Sequence, residues 1–171
     1  MKLALIVSMA LLIAYCANAQ NLITNTNHSA LPPDFSKMSY GEMDAAIGSE
    51  ANLIVAERTK KEGPEYIADL VHQLQYGNLT DEKRVLIIYF LGVLHASDTN
   101  SIEALIRFID LKATIFDPKT DIQRWGLYPA EEALIKIGKP VVNPILDHLP
   151  NETNQLRRQL MCDVLRRVLH Q

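Results

Sequence analysis

Three stretches of this chain align without gaps, and their internal spacing constrains what it can fold into more than any other feature. Residues Ile67 to Leu74, Ile102 to Ile109 and Val142 to Leu149 each carry apolar side chains at i, i+3, i+4 and i+7. That period lays a single apolar stripe along a helix, whereas a strand would alternate every second residue. A stripe of this kind is stable only when buried against a neighbour, so each helix requires a partner. The stretches begin at residues 67, 102 and 142, and each follows another apolar helical stretch, so the repeating unit is a pair of helices.

The first helices of the pairs also correspond. Ile87 to Gly92 matches Ala133 to Gly138, and in both the glycine is expected to close the helix as a left-handed cap. A further copy aligns Thr80 to Arg84 with Thr153 to Arg157, and Ile87 and Ile88 with Leu160 and Met161, with Thr80 and Thr153 expected to cap their helices. Composition alone would allow Val85 to Leu91 to be a buried strand. The N-cap Thr80, the acids Asp81 and Glu82 at the positive end of a helix dipole, and the run on to Ser97 instead predict a helix. A helix apolar on every side is one enclosed by neighbours, as in the interior of a helical array.

Repeats of this length with two helices fit HEAT or armadillo arrays better than the shorter repeat classes. The third unit resembles a bacterial-type HEAT repeat: Ala133-Leu134, two residues, Ile137-Gly138, then Pro140-Val141-Val142 and an apolar helix, with Val141 where Ala is usual. The resemblance is closest over residues 128–149, looser over 80–111 and loosest over 43–76. It implies an all-α fold, a short α-α superhelix or HEAT-like solenoid of about three and a half helix pairs, and for the family at large protein binding on an extended surface.

Composition agrees with this reading. At 171 residues the chain holds one ordinary domain, and 48% hydrophobic with 22% charged residues excludes disorder as the dominant state. Seven glycines and eight prolines are too few for a β-sandwich with frequent turns. The formal net charge of −3 offers no electrostatic footprint for nucleic acid, which is therefore not expected as a partner.

Lys2, the apolar run Leu3 to Tyr15 and the small residues of Ala17-Asn18-Ala19 read as a signal peptide cleaved after Ala19. The run is shorter than the ~20 residues that span a bilayer as a helix, so no stable membrane span is expected after cleavage. Ile13-Ala14-Tyr15-Cys16 offers a lipoprotein box as a minor alternative, with Tyr15 where a small residue is usual. The expected organisation is a signal peptide over 1–19, a flexible leader rich in Asn, Thr, Ser and Pro over 20–38, and a HEAT-like domain over 39–171, opened by a capping box between Ser39 and Glu42. The product would be secreted or periplasmic, with Cys162 its only thiol, expected to be buried and inert between Leu160, Met161 and Val164.

Candidate chemistry is sparse. His28, His72, His95, His148 and His170 are scattered without metal-ligand spacing, and no nucleophile elbow or phosphate-binding glycine loop occurs. Glu131 and Glu132 complement a helix start. The sequons at Asn27, Asn78 and Asn151 would carry sugar only in a eukaryotic secretory pathway. No catalytic residue, metal or cofactor is assigned.

One connection is unlike the others. The segment from Lys112 to Leu127 is several times longer than the turns before Thr80 and Thr153, and loops beyond about 12 to 15 residues are uncommon in compact domains and often functional. It leads into Tyr128 and holds Trp125, the only tryptophan, beside Arg124, with Asp117 and Asp121 nearby. Trp and Arg are enriched where interfaces concentrate binding energy. Asp117, Asp121, Arg124, Trp125 and Tyr128 are therefore the candidate binding residues for a protein partner. The competing reading is that Trp125 folds back over the groove between repeats. At the level of function, a non-enzymatic interaction module is favoured, and the alternative is an enzyme or accessory factor with a site on the concave helical surface. Mass-spectrometric sequencing of the N-terminal peptide of exported protein should place its start at Gln20, free or cyclised; a start at Cys16 with added acyl mass would establish the lipoprotein instead.

Overall fold

The apolar stripes form helices that pack as successive layers. The structure, a computed structural model, describes residues 34–39, 41–42, 64–113 and 126–171. The expected signal peptide, leader residues 20–33 and the start of the first repeat lie outside the described residues. Among the described residues the regular structure is wholly helical: α1 (Pro64–Tyr76), α2 (Asp81–Val93), α3 (Thr99–Arg107), α4 (Pro129–Ile137), α5 (Val142–His148) and α6 (Gln155–Leu169), with 3-10 turns at Phe35–Lys37 and Lys139–Val141. Val85 to Leu91 is helix, and the three aligned stretches fall in α1, α3 and α5.

The helices stand in two ranks. In one, α2 packs on α4 and α4 on α6; in the other, α1 packs on α3 and α3 on α5. Between ranks α1 meets α2, α3 meets α4 and α5 meets α6. The first rank repeats its buried positions: Ile87, Ile88 and Leu91 in α2, Ala133, Leu134 and Ile137 in α4, Leu160, Met161 and Val164 in α6. α2 also buries Val85, Leu86 and Phe90, and full burial of each large aliphatic side chain contributes about 1.5–3 kcal/mol. It is thus the most enclosed helix of the array, as its all-round apolar sequence predicts.

Helix starts use local polar groups. Asp98 accepts the Ser101 amide at 3.0 Å to cap α3. The Ser39–Glu42 capping box is formed, with the Glu42 carboxylate accepting the Ser39 amide at 2.7 Å and the Ser39 hydroxyl accepting the Glu42 amide at 3.3 Å. The two threonines behave differently from expectation. Thr80 is the N-cap of α2 by backbone conformation, but its hydroxyl makes no capping bond to a helix amide. At α6 the cap is Asn154, not Thr153: its side chain accepts the amides of Leu156 at 2.9 Å and Arg157 at 3.3 Å. An Asn side chain reaches these amides as well as a Thr does.

Gly92 corrects a second expectation. Gly138 does end α4 at φ +80°, but Gly92 lies inside α2, and the left-handed residue that ends α2 is His95 at φ +49°. The Ala96 amide returns to the Leu91 carbonyl at 3.0 Å and the His95 amide to the Gly92 carbonyl at 3.2 Å, the bonding pattern of a Schellman turn. A side chain in this conformation costs roughly 1–2 kcal/mol, and His95 is held there by a 2.7 Å hydrogen bond between its Nδ1 and the Lys136 carbonyl of α4. The requirement for glycine at 92 comes from packing: a Cβ there would stand 2.8 Å from the Ala133 Cα and 2.9 Å from its Cβ. The two helices meet backbone to backbone.

Other side chains tie the ranks together. Arg157, at the start of α6, donates from Nε to Glu152 at 2.7 Å, from Nη1 to Asp110 at 2.8 Å and the Arg107 carbonyl at 3.0 Å, and from Nη2 to the Ile106 carbonyl at 3.0 Å. It therefore satisfies the carbonyls at the C-terminal end of α3 while fixing α6 against it. Phe35, within the segment expected to be leader, is 2% exposed and stacks on Phe90 at 6.5 Å between centroids. Its amide donates to Gln73 and its carbonyl accepts from Lys83, both at 3.0 Å, so residues 34–38 belong to the packed body. Cys162, expected to be buried, is exposed. Leu160, Met161, Val164 and Val168 define the inward side of α6, and at about 3.6 residues per turn residue 162 falls outside it.

Gly92→Ala should lower stability by about 1–3 kcal/mol through overpacking, whereas an interior Gly→Ala in an uncrowded helix would raise it. Arg157→Ala should lower stability, since it removes the cation shared by Glu152 and Asp110 and the side-chain donor to the Arg107 carbonyl. Urea unfolding of both variants reads these changes.

Candidate recognition site at the long connection

Four of the five candidate binding residues, Asp117, Asp121, Arg124 and Trp125, lie outside the described residues. What the structure places is the stem from which they extend. The Ala113 amide donates to the Leu127 carbonyl at 3.0 Å, so the chain leaves α3 and returns to α4 at one point. Ala113 is buried, and Leu127 is exposed at the mouth of the stem.

Tyr128, the fifth candidate, follows directly as the N-cap residue of α4 and is half-buried against the core. Pro129 then occupies the first helical position, where its missing amide leaves no bond unmade. Gly126 has φ +71°, and a Cβ on it would approach the Glu132 Cγ to 2.7 Å, so the returning chain needs glycine for both conformation and space.

Glu132 faces outward to α6. Its two carboxylate oxygens accept from Arg167 Nη1 at 2.6 Å and Nη2 at 3.2 Å, a forked ion pair joining α4 to α6 beside the stem. Glu131 is the less compensated neighbour, since its nearest cation, the same Arg167 Nη1, stands 4.0 Å away. Burial raises its carboxyl above the ordinary carboxylate range, the adjacent Glu132 adds to the rise, and Arg167 opposes it. Glu152 is held below that range, chiefly by the hydrogen bond from Arg157 and then by the Asn154 amide.

Sequence reasoning did not find Gly126, Arg167 or the pairing of Glu132 across helices. The glycine was visible beside Trp125, but residues 132 and 167 are joined only by the α4–α6 packing. Histidines are placed singly: His148 Nε2 lies 2.7 Å from Glu103 Oε2, linking α5 to α3, and the His72 ring sits 5.3 Å from that of Tyr76. Among the described residues no three His, Cys, Asp or Glu side chains gather as metal ligands, and no helix is long and apolar enough to cross a membrane. The described residues offer an ion-paired, half-buried platform where the long connection enters α4. Compared with protein-family models, curated proteins and solved structures, the chain matches none.

Glu131 yields a pH prediction. With its folded pKa raised, the folded state retains a proton that the unfolded state releases, so this group favours folding at low pH and loses that contribution as pH rises through its folded value. Glu131→Gln should therefore raise the melting temperature near pH 7 and leave it nearly unchanged below the ordinary carboxylate range, as thermal melts across pH would register.

Proposed function

We propose that the chain is an exported, non-enzymatic protein-interaction module built as a HEAT-like α-α superhelix, secreted or periplasmic after cleavage at Ala19. In this reading the Lys112 to Leu127 segment is its main recognition element. Arg124, Trp125 and Tyr128 are the anchors and Asp117 and Asp121 their polar neighbours. The observation that carries the reading is the closed stem: with the Ala113 amide on the Leu127 carbonyl, the residues between them are not needed to connect α3 with α4. Long loops cost little extra closure entropy, so surplus length is tolerated, and a lone Trp beside Arg gives it a use. The order of helices in two ranks, with matched buried positions, is the packing that a HEAT-like array requires.

The test separates recognition from packing. Replacing residues 114–125 with a short Gly-Ser linker should preserve helicity and melting temperature while abolishing capture of the partner from exported extract. In the intact chain, Trp125→Ala should scarcely change stability. A loss of about 3–5 kcal/mol, the cost of truncating a buried Trp, would assign it to the core instead.

A further inference from the structure

The second rank repeats one position whose burial fails at its last member. Val71 in α1 and Ile106 in α3 are 5% and 1% exposed, each on a helix followed by another of the same rank. The equivalent Leu146 in α5 is 50% exposed. Within α5, His148 turns toward α3 to meet Glu103, and Leu146 lies nearly opposite it on the helix circumference. Leu146 therefore occupies the side of α5 on which a further helix would stack.

The first rank ends in the same way. Arg167 marks the side of α6 that faces α4. Arg158, Cys162, Leu165 and Leu169 recur at helical spacing on the opposite side, where Leu169 is 66% exposed and Leu165 is half-buried. The outer face of the α5–α6 layer thus presents leucines in both ranks.

Charge indicates what would cover them. Of the four arginines of α6, Arg157 is committed to Glu152 and Asp110, and Arg167 to Glu132. Arg166 makes only an exposed pair with Asp163, and Arg158 donates only to the Glu152 carbonyl at 3.4 Å, meeting no carboxylate among the described residues. This face thus combines exposed leucines with a cation, Arg158, that meets no carboxylate among the described residues. We propose that this face docks an acidic amphipathic helix of a partner protein, in the place the next helical layer would take, with its apolar stripe on Leu146, Leu165 and Leu169 and its carboxylates on Arg158 and Arg166. Leucine stripe into apolar cleft with flanking charge is a recurrent mode of helix recognition. The surface is separate from the 112–127 segment and does not depend on that segment's role.

The probe is a synthetic helical peptide with leucines at i, i+3, i+4 and i+7 flanked by glutamates; its control replaces every Glu with Lys. Cys162 serves as a reporter, because its alkylation can be followed on the tryptic peptide Gln159 to Arg166 of the full-length chain. The glutamate peptide should bind in calorimetry and slow Cys162 alkylation, and the lysine peptide should bind at least about tenfold more weakly. Leu146→Glu and Leu169→Glu, both at exposed positions, should keep their circular dichroism and each weaken binding by about tenfold, while Trp125→Ala leaves it unchanged. The proposal is overturned if the glutamate peptide does not bind, if the lysine peptide binds equally, or if binding survives both Leu→Glu variants. Protection of Cys162 in the free monomer would assign the face to a segment of this chain, and protection that grows with protein concentration would assign it to a second copy; either result overturns the proposal.

Discussion

The rest of the array depends on the contact between Gly92 and Ala133. A methyl-sized group at position 92 would overlap both the Cα and Cβ of Ala133, so α2 and α4 can come together only because one lacks a side chain and the other has the smallest. That approach sets the step along the first rank. It brings Ile87, Ile88 and Leu91 into the same layer as Ala133, Leu134 and Ile137, and it puts the Lys136 carbonyl within reach of His95, whose left-handed backbone ends α2. Interiors are packed densely enough that even one added carbon is felt, which makes a glycine at this spot a condition of the stack.

From that contact outward the fold is held by charged side chains at layer boundaries and by leucines and isoleucines within layers. Arg157 joins α6 to the end of α3, and Arg167 joins α6 to α4. Phe35 extends the core at the other end, closing over Phe90. Because each layer packs chiefly on the adjacent ones, stability is expected to be greatest around α2 and α4 and to decline toward α6. The Ala113–Leu127 bond closes the boundary between α3 and α4 at the two ends of the long connection.

Much of this was legible in the sequence because helical periodicity is local. The stripes of α1 and α3 are buried where expected, the enclosed helix α2 was separated from a strand by its flanks, and the capping box at Ser39 is made by residues three apart. The failures share a cause in tertiary context. Gly92 and Gly138 are indistinguishable in an alignment, yet one is dictated by a neighbouring helix and the other by a helix end. The apolar sequence neighbours of Cys162 suggest burial, but on a helix adjacent residues point in different directions and the thiol is exposed. Phe35 lay in polar company that gave no hint of its burial. Of the candidate site, Tyr128 is placed at the base of the connection, but the Glu132–Arg167 fork beside it unites residues far apart in the chain and left no local signal.

The α2–α4 contact is open to direct measurement by NMR. In the described packing the Hα of Gly92 that occupies the side-chain direction points into the Ala133 methyl, so a nuclear Overhauser spectrum should contain a strong cross-peak between them. Its absence in the folded protein, with both resonances assigned, would contradict the stacked arrangement of the two ranks.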